Sequence, residues 1–228
     1  MQLSVIIPCL NEAHQIVELL QSLQPLRARG AEVIVVDGGS KDGTLEAARS
    51  LADHVVAAPR GRAAQMNAGA AMATREVLLF LHADTRLPDE ADRLVLDALK
   101  ASGKRWGRFD VRITGRHPML PIIAAAMNVR SRCTGIATGD QAIFVVRDAF
   151  DDIGRYADIP LMEDIDLTKR LKRRGAPLCL TARVTTSGRR WQRHGVFRTI
   201  LLMWHLRLAY ALGADPRALA TRYAPHGR

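Results

Sequence analysis

The feature that most limits how this chain folds is a rhythm in its first hundred residues, where short β-branched or apolar runs alternate with helical patterns. Leu3–Pro8 leads through a polar turn into Glu12–Leu23, Glu32–Asp37 into Asp42–Ala52, and Val55–Ala58 into Ala63–Ala73. A fourth run, Glu76–His82, is wholly apolar at Val77-Leu78-Leu79-Phe80-Leu81, as strands buried on both faces are. This alternation predicts an α/β fold with a doubly wound, mostly parallel sheet.

The regular rhythm ends after Pro88. Asp89–Leu99 reads as a helix, Arg108–Ile113 as an added strand, Met119–Met127 as an apolar helix and Ala142–Val146 as a further strand. Met162–Arg174 is a helix that Gly175 closes in the C′ place, where a left-handed residue is expected. A hydrophobic helix spans Val196–Leu212. At 228 residues, 48% of them hydrophobic, the chain can bury one sizeable core. One main domain is expected over 1–190, with a basic, apolar helical C-terminal extension, 191–228, packed on it. No repeat or low-complexity segment argues for a solenoid or a disordered chain.

Cys9, Cys133 and Cys179 are odd in number and far apart, so neither a disulfide framework nor a cysteine-ligated metal is suggested, and a reducing, cytoplasmic setting fits. The net charge of +10 is uneven: residues 169–228 hold 14 Lys/Arg against Asp215 alone. Such a segment suits nucleic acid, anionic lipid headgroups or substrate phosphates, and charge does not choose among them.

Ligands of doubly wound sheets bind outside the carboxyl ends of the strands, so the residues following each strand carry the chemistry. Three sets converge there: Asn11-Glu12, Asp37-Gly38-Gly39-Ser40 and His82-Ala83-Asp84. The second is either a flexible turn or a site where Asp37 accepts hydrogen bonds from a base or ribose while the glycines admit close backbone approach. In the third, Asp84 with a diphosphate suffices for a hard cation, and His82 suits Mn²⁺ better than Mg²⁺. The alternative is a capping aspartate beside a packed imidazole. Glu163 and Asp164 open an acid-to-base helix whose polarity follows the helix dipole, yet that does not require two adjacent carboxylates, one of which is a candidate general base. Arg62, Gln65 and Asn67 start another helical segment, and Arg189, Arg190 and Trp191 precede the last. Arginine forks suit phosphate oxygens.

These residues resemble the GT-A-fold family 2 glycosyltransferases over nearly the whole chain. Val5-Ile6-Ile7-Pro8-Cys9-Leu10-Asn11-Glu12 is similar to the family's opening strand and Pro-x-x-Asn-Glu turn, and Val35–Thr44 to its Asp-Gly-x-Ser-x-Asp-Gly-Thr segment. The resemblance implies a Rossmann-like nucleotide-diphospho-sugar transferase sheet. It implies that Pro8, Asn11, Glu12, Asp37, Gly38 and Ser40 line the nucleotide pocket, with Arg62, Gln65, Asn67 and Ala83 near the sugar diphosphate. Asp84 falls on the metal-binding aspartate of Asp-x-Asp, His82 replacing the first acid, and a divalent cation, Mn or Mg, is the implied cofactor. Glu163-Asp164 is similar to the family's Glu-Asp pair, in which the Asp is the catalytic base. Gly139, Asp140 and Gln141 lie where acceptor residues are expected, and Ser187–Trp191 is similar to a Gln-x-x-Arg-Trp motif. The segment Met203–Tyr210 adds a resemblance to the small bacterial subgroup associated with radical-SAM and selenium-domain proteins.

The expected activity is inverting transfer of a sugar from a nucleotide-diphosphate donor, of UDP or GDP type, to an acceptor hydroxyl, with Asp164 as base. Nucleotidyl transfer is the enzymatic alternative. A nucleic-acid-binding module is the other, poorly supported because aromatics are 5% of the chain and the basic region lacks interleaved stacking residues apart from Trp191 and Trp204. The Val196–Leu212 helix mixes Arg198, His205 and Arg207 into its faces, which favours core packing or a homodimer contact over spanning a membrane. Peripheral contact with an anionic membrane and a lipid-linked acceptor is compatible with it.

Overall fold

The computed structural model describes residues 1–223. The order of elements is β1 (Leu3–Cys9), α1 (Ala13–Ser22), α2 (Gln24–Ala28), β2 (Glu32–Asp37), α3 (Thr44–Arg49), β3 (His54–Ala57), α4 (Arg62–Met72), β4 (Val77–Phe80), β5 (Thr85–Arg86) and α5 (Ala91–Ser102). It continues with β6 (Trp106–Thr114), α6 (Met119–Thr134), β7 (Phe144–Val146), α7 (Arg147–Asp152), α8 (Glu163–Arg174), β8 (Leu178–Ser187), α9 (Arg189–His194), α10 (Val196–Ala211) and α11 (Pro216–Tyr223). A single 3₁₀ turn, Gly139–Gln141, precedes β7.

The apolar runs of the first hundred residues become one half of a single sheet in the order β3-β2-β1-β4-β7-β6-β8-β5. Strands β3, β2, β1 and β4 are parallel, as expected, and β6 pairs parallel with β8. The short β7 joins the two halves antiparallel to both β4 and β6. Every residue of β1, β2 and β4 is buried, because helices cover both faces. Each fully buried Val, Leu or Ile there contributes about 1.5–3 kcal/mol.

Close packing positions the site. Helix α4 crosses β1 and β2 at Gly69, where a Cβ would overlap Ile6 Cγ2 and come within 2.9 Å of Val36 Cγ2. That approach holds the first residue of α4, Arg62, at the carboxyl ends of the parallel strands.

Three expectations change. Strand β8 was not foreseen, although it runs ten residues and pairs with β6 along almost its whole length. Gly175 does follow α8, but at φ 166° it is extended, so the helix stops without a left-handed cap. Helix α10 presents Phe197, Leu201, Trp204, Leu208 and Leu212 on one face, each 62–80% exposed, and buries only Val196, Thr199 and Leu206. The mixed-face reading fails because 197, 201, 204, 208 and 212 recur at helical spacing, between the charged positions. The buried side of α10 packs at Leu206 against Leu161, Met162 and Ile165 at the head of α8.

Candidate active site

Two loops at the carboxyl ends of β1 and β2 are laced together. The Asn11 amide donates to Ser40 Oγ at 2.8 Å, the Lys41 amide to Asn11 Oδ1 at 2.9 Å, and the Glu12 amide to Thr44 Oγ1 at 2.9 Å. Asp37 is 1% exposed, and its Oδ2 accepts the amides of Gly39 and Ser40, both at 2.8 Å, while Ser40 Oγ donates to its Oδ1. The carboxylate thus pins the turn. Gln65, also buried, donates to the carbonyls of Cys9 and Val36 at 2.8 Å and lies directly beneath Gly38. It supports the loop floor from behind.

The strand pairing of β5 brings the third loop to the chain's basic region. Thr85 and Arg86 pair with Thr186 and Thr185, and the Ser187 amide donates to the Asp84 carbonyl at 3.2 Å. Asp84 therefore abuts the turn into α9, where Arg189 and Arg190 begin. Arg189 Nη2 reaches back to Gln15 Oε1 at 2.9 Å and stands 3.9 Å from Glu12 Oε2. Burial pushes the Glu12 carboxyl up; Arg189 and Arg62 pull it down, and Asp84 raises it. Arg190 is held down to about 10, by burial first and then by the nearby Arg62.

Helix α8 opens the remaining wall. Its N-cap, Met162, has φ 69°, and Asn11 (φ 55°) and Ala142 (φ 45°) are similarly left-handed, so strained backbone recurs around the cleft. Asp164 Oδ2 accepts the Gly139 amide at 2.8 Å, and its Oδ1 accepts the Ile165 amide at 2.7 Å. Glu163 is 5% exposed, and its Oε1 lies 3.9 Å from Arg62 Nη1. Burial, reinforced by Asp164, pushes its carboxyl up to about 7 against the pull of Arg62. Burial works against the Arg62 charge, but Glu163, Asp140, Asp164 and Asp84 together raise its pKa.

His82, expected beside the metal, packs against Asp140 and Gly139. Its Nδ1 lies 3.4 Å from Asp140 Oδ1, and its Nε2 edge fills the space where a Cβ on Gly139 would sit. Both ring nitrogens face protein, and the imidazole orients Asp140, whose carboxyl burial would raise but which His82, Arg62 and Arg207 lower. Among the described residues no group of three or more His, Cys, Asp or Glu could form a protein-only cage. Asp84, half-buried and met by Thr85 Oγ1 at 3.4 Å, fits the different case of one carboxylate sharing a hard cation with phosphate oxygens.

Two further side chains fall away from the cleft. Asn67 donates to the Tyr156 carbonyl at 2.9 Å and accepts the Tyr156 amide at 3.1 Å, which uses its amide to tie down the loop after α7. Gln141, 0% exposed, donates to Ser131 Oγ at 3.0 Å, and its Oε1 accepts the Thr138 amide at 3.3 Å in a capping box. Trp191 packs on the main core, and Ala83 is buried between His82 and Asp84. Pro8 is a buried strand residue. The charged side chains that lie near one another at the cleft are Glu12, Arg62, Asp84, Asp140, Glu163, Asp164, Arg189 and Arg190. Sequence reasoning missed Arg130 and Arg207, both close enough to Asp164 and Asp140 to feel their charges. A lone arginine on a helix carries no signal until the packing of that helix is known.

Residues 4–154 match the model of Glycosyl transferase family 2. The chain is 38% identical over 110 residues to the succinoglycan biosynthesis protein ExoA of Rhizobium meliloti (strain 1021), covering 42% of this chain and 32% of that protein. It is 27% identical over 108 residues to the poly-beta-1,6-N-acetyl-D-glucosamine synthase of Staphylococcus epidermidis, covering 45% of this chain and 26% of that one. The chain thus spans about a third or less of the curated relatives it matches. Among solved structures, the mannosyltransferase PcManGT from Pyrobaculum calidifontis, in complex with GDP-Man and Mn²⁺, superposes with TM-score 0.65 at 24% identity. That likeness covers 96% of this chain and 64% of the neighbour. S. aureus TarS 1–349 in complex with UDP gives TM-score 0.67 at 22% identity over 82% of this chain and 60% of its own. Both likenesses show a GT-A fold.

Proposed function

The chain belongs to glycosyl transferase family 2, and on that premise we propose that it is an inverting transferase moving a sugar from a UDP- or GDP-linked donor to an acceptor hydroxyl. The observation that carries this reading is the Asp164 carboxylate, oriented by the Gly139 amide at 2.8 Å in a cleft that also gathers Arg62, Arg189 and Arg190. Asp164 accepts the proton of the acceptor hydroxyl. The oxygen attacks the anomeric carbon from the face opposite the leaving group, and the electron pair of the broken C–O bond departs with the nucleoside diphosphate. Charge growing on the diphosphate is met by Arg62, Arg189 and Arg190, the electrostatic contribution that is usually largest. Asp84, together with the donor phosphates, would hold a Mn²⁺ or Mg²⁺ ion, which would supply further neutralisation of that charge. Neighbours crystallised with Mn²⁺ and with UDP or GDP-Man support the cofactor and donor class.

In this reading, residues 191–223 of the expected C-terminal extension border the acceptor side of domain 1–190, and residues 224–228 lie outside the described residues. The Met203–Tyr210 segment supports placement with the small bacterial subgroup named above. No helix of the described residues is long and apolar enough to cross a membrane. Product analysis tests the reaction: free nucleoside diphosphate is expected after incubation with sugar nucleotides, whereas pyrophosphate would identify nucleotidyl transfer and overturn the proposal.

A further inference from the structure

Between α6 and α10 lies a groove of about 500 Å³ lined by Arg130, Leu201, Trp204, His205, Arg207 and Leu208. Its composition is split. Leu201, Trp204 and Leu208 belong to the exposed stripe of α10, at 69%, 70% and 62% exposure. Arg130 and Arg207 lie deeper and face the catalytic wall, near enough to Asp164 and Asp140 for those carboxylates to raise their pKa values. Neither arginine has an ion-pair partner within 4.0 Å among the described residues.

Arg130 is the more exacting observation. Its Nε and Nη2 are buried without a hydrogen-bond partner, a rare condition for guanidinium N–H groups. Burial first, then the neighbouring Arg207, hold it down to about 10. Two neighbouring arginines, Arg130 among them with unmet donors, at the foot of an apolar groove form an arrangement completed by an anion with several oxygens, since guanidinium forks match phosphate geometry. The anion alone leaves the stripe unexplained, because monomeric surfaces rarely expose a contiguous row of large apolar side chains without a use. An apolar chain attached to that anion accounts for both.

We infer that Arg130 and Arg207 form an acceptor subsite for an amphiphile whose headgroup carries a phosphate, with its apolar chain lying along Leu201, Trp204 and Leu208. This deepens the transferase reading and rests on it for the word acceptor. The binding site itself stands on the groove. The headgroup enters beside Asp164, and the chain leaves along α10, so substrate is held at the base by charge and at the surface by the hydrophobic effect.

The test is calorimetric titration of the full chain with decyl phosphate below its micellar concentration, beside decyl glucoside and inorganic phosphate. Decyl phosphate is expected to bind and to shift Trp204 emission to the blue, the shift being absent in Trp204→Phe. Arg130→Gln and Arg207→Gln are each expected to weaken binding by on the order of tenfold or more, the effect of losing hydrogen bonds to a charged group. Leu201→Ala and Leu208→Ala, at exposed positions that do not threaten folding, are expected to weaken it severalfold. Equal binding of decyl glucoside, equal binding of inorganic phosphate, or unchanged binding in all four variants overturns the inference. Thermal shift with UDP and GDP on the same samples reads the donor site separately. Nucleotide binding without decyl phosphate binding overturns this inference alone, and the reverse overturns only the transferase reading.

Discussion

The backbone amide of Gly139 donates to Asp164 Oδ2 at 2.8 Å, so a turn 25 residues earlier sets the direction of the carboxylate at the head of α8. The same glycine leaves room for His82, which in turn faces Asp140 at 3.4 Å. Asp164, the 3₁₀ turn and the strand-end histidine therefore form one mechanical unit, and disturbing any member moves the others.

Gly139→Ala inserts a Cβ into His82 Nε2 and Cε1, displacing the imidazole or the turn. Overpacking of this kind costs about 1–3 kcal/mol of stability, and the expected kinetic signature is a fall in kcat larger than any rise in KM for donor. Asp164→Asn keeps the shape but removes the base, and loses on the order of 10²–10⁴-fold in kcat while donor-induced thermal stabilisation persists. Turnover at the wild-type rate in Asp164→Asn would remove the base assignment.

Glu163 gives a pH prediction whose sign follows from burial. Its carboxyl is raised from 4.5 to about 7, so the folded state holds the proton more tightly than the unfolded chain. That contribution is fully present below the unfolded value and is lost as pH rises from there through about 7. Glu163→Gln, neutral throughout, is expected to abolish this part of the decline, and a stability difference between mutant and wild type that stays constant from pH 4 to 8 (about one unit either side of the titration) would contradict it.

The sheet was legible because runs such as Val77–Leu81 and Glu32–Asp37 have only one way to be buried on both faces. Strand β8 was not, since Leu178–Ser187 alternates with polar residues of intermediate burial and its partner β6 ends 64 residues before β8 begins, by the bounds of the two strands. Within the cleft, strand-end acids were readable from position. Amides were not: Gln65, Asn67 and Gln141 have the chemistry of ligand contacts, yet each is spent on buried backbone or hydroxyl groups. Only packing distinguishes the two uses, and only packing brings Arg130 and Arg207 to Asp164.

Asp84 carries the metal prediction. With a nucleoside diphosphate present, Mn²⁺ is expected to raise the apparent Tm of the wild type beyond the nucleotide alone, by mass action on the folded state. Asp84→Ala should lose that increment and keep a nucleotide shift, whereas His82→Gln should keep both, because His82 is turned toward Asp140 and Gly139. Loss of the Mn²⁺ increment in His82→Gln with the increment intact in Asp84→Ala would reverse the assignment.

Glu32 titrates in the opposite sense to Glu163 despite comparable burial. Burial alone would raise its carboxyl, but Ser4 Oγ donates to it at 2.6 Å, the Thr74 amide at 2.8 Å and Thr74 Oγ1 at 3.1 Å, and the net shift is downward. His54 Nε2, 3.4 Å away, adds to the depression. A depressed carboxylate contributes stability that is present above its unfolded pKa and is lost as pH falls through the folded one. Glu32→Gln is therefore expected to cost about 1–3 kcal/mol at pH 7, a deficit that shrinks as acid protonates the wild-type carboxylate. Chemical denaturation at a series of pH values from 7 to 3 (about three units above to one below an ordinary carboxyl) measures the gap. The two curves should converge on the acid side, and parallel curves would mean that the Ser4 and Thr74 bonds do not favour the charged form.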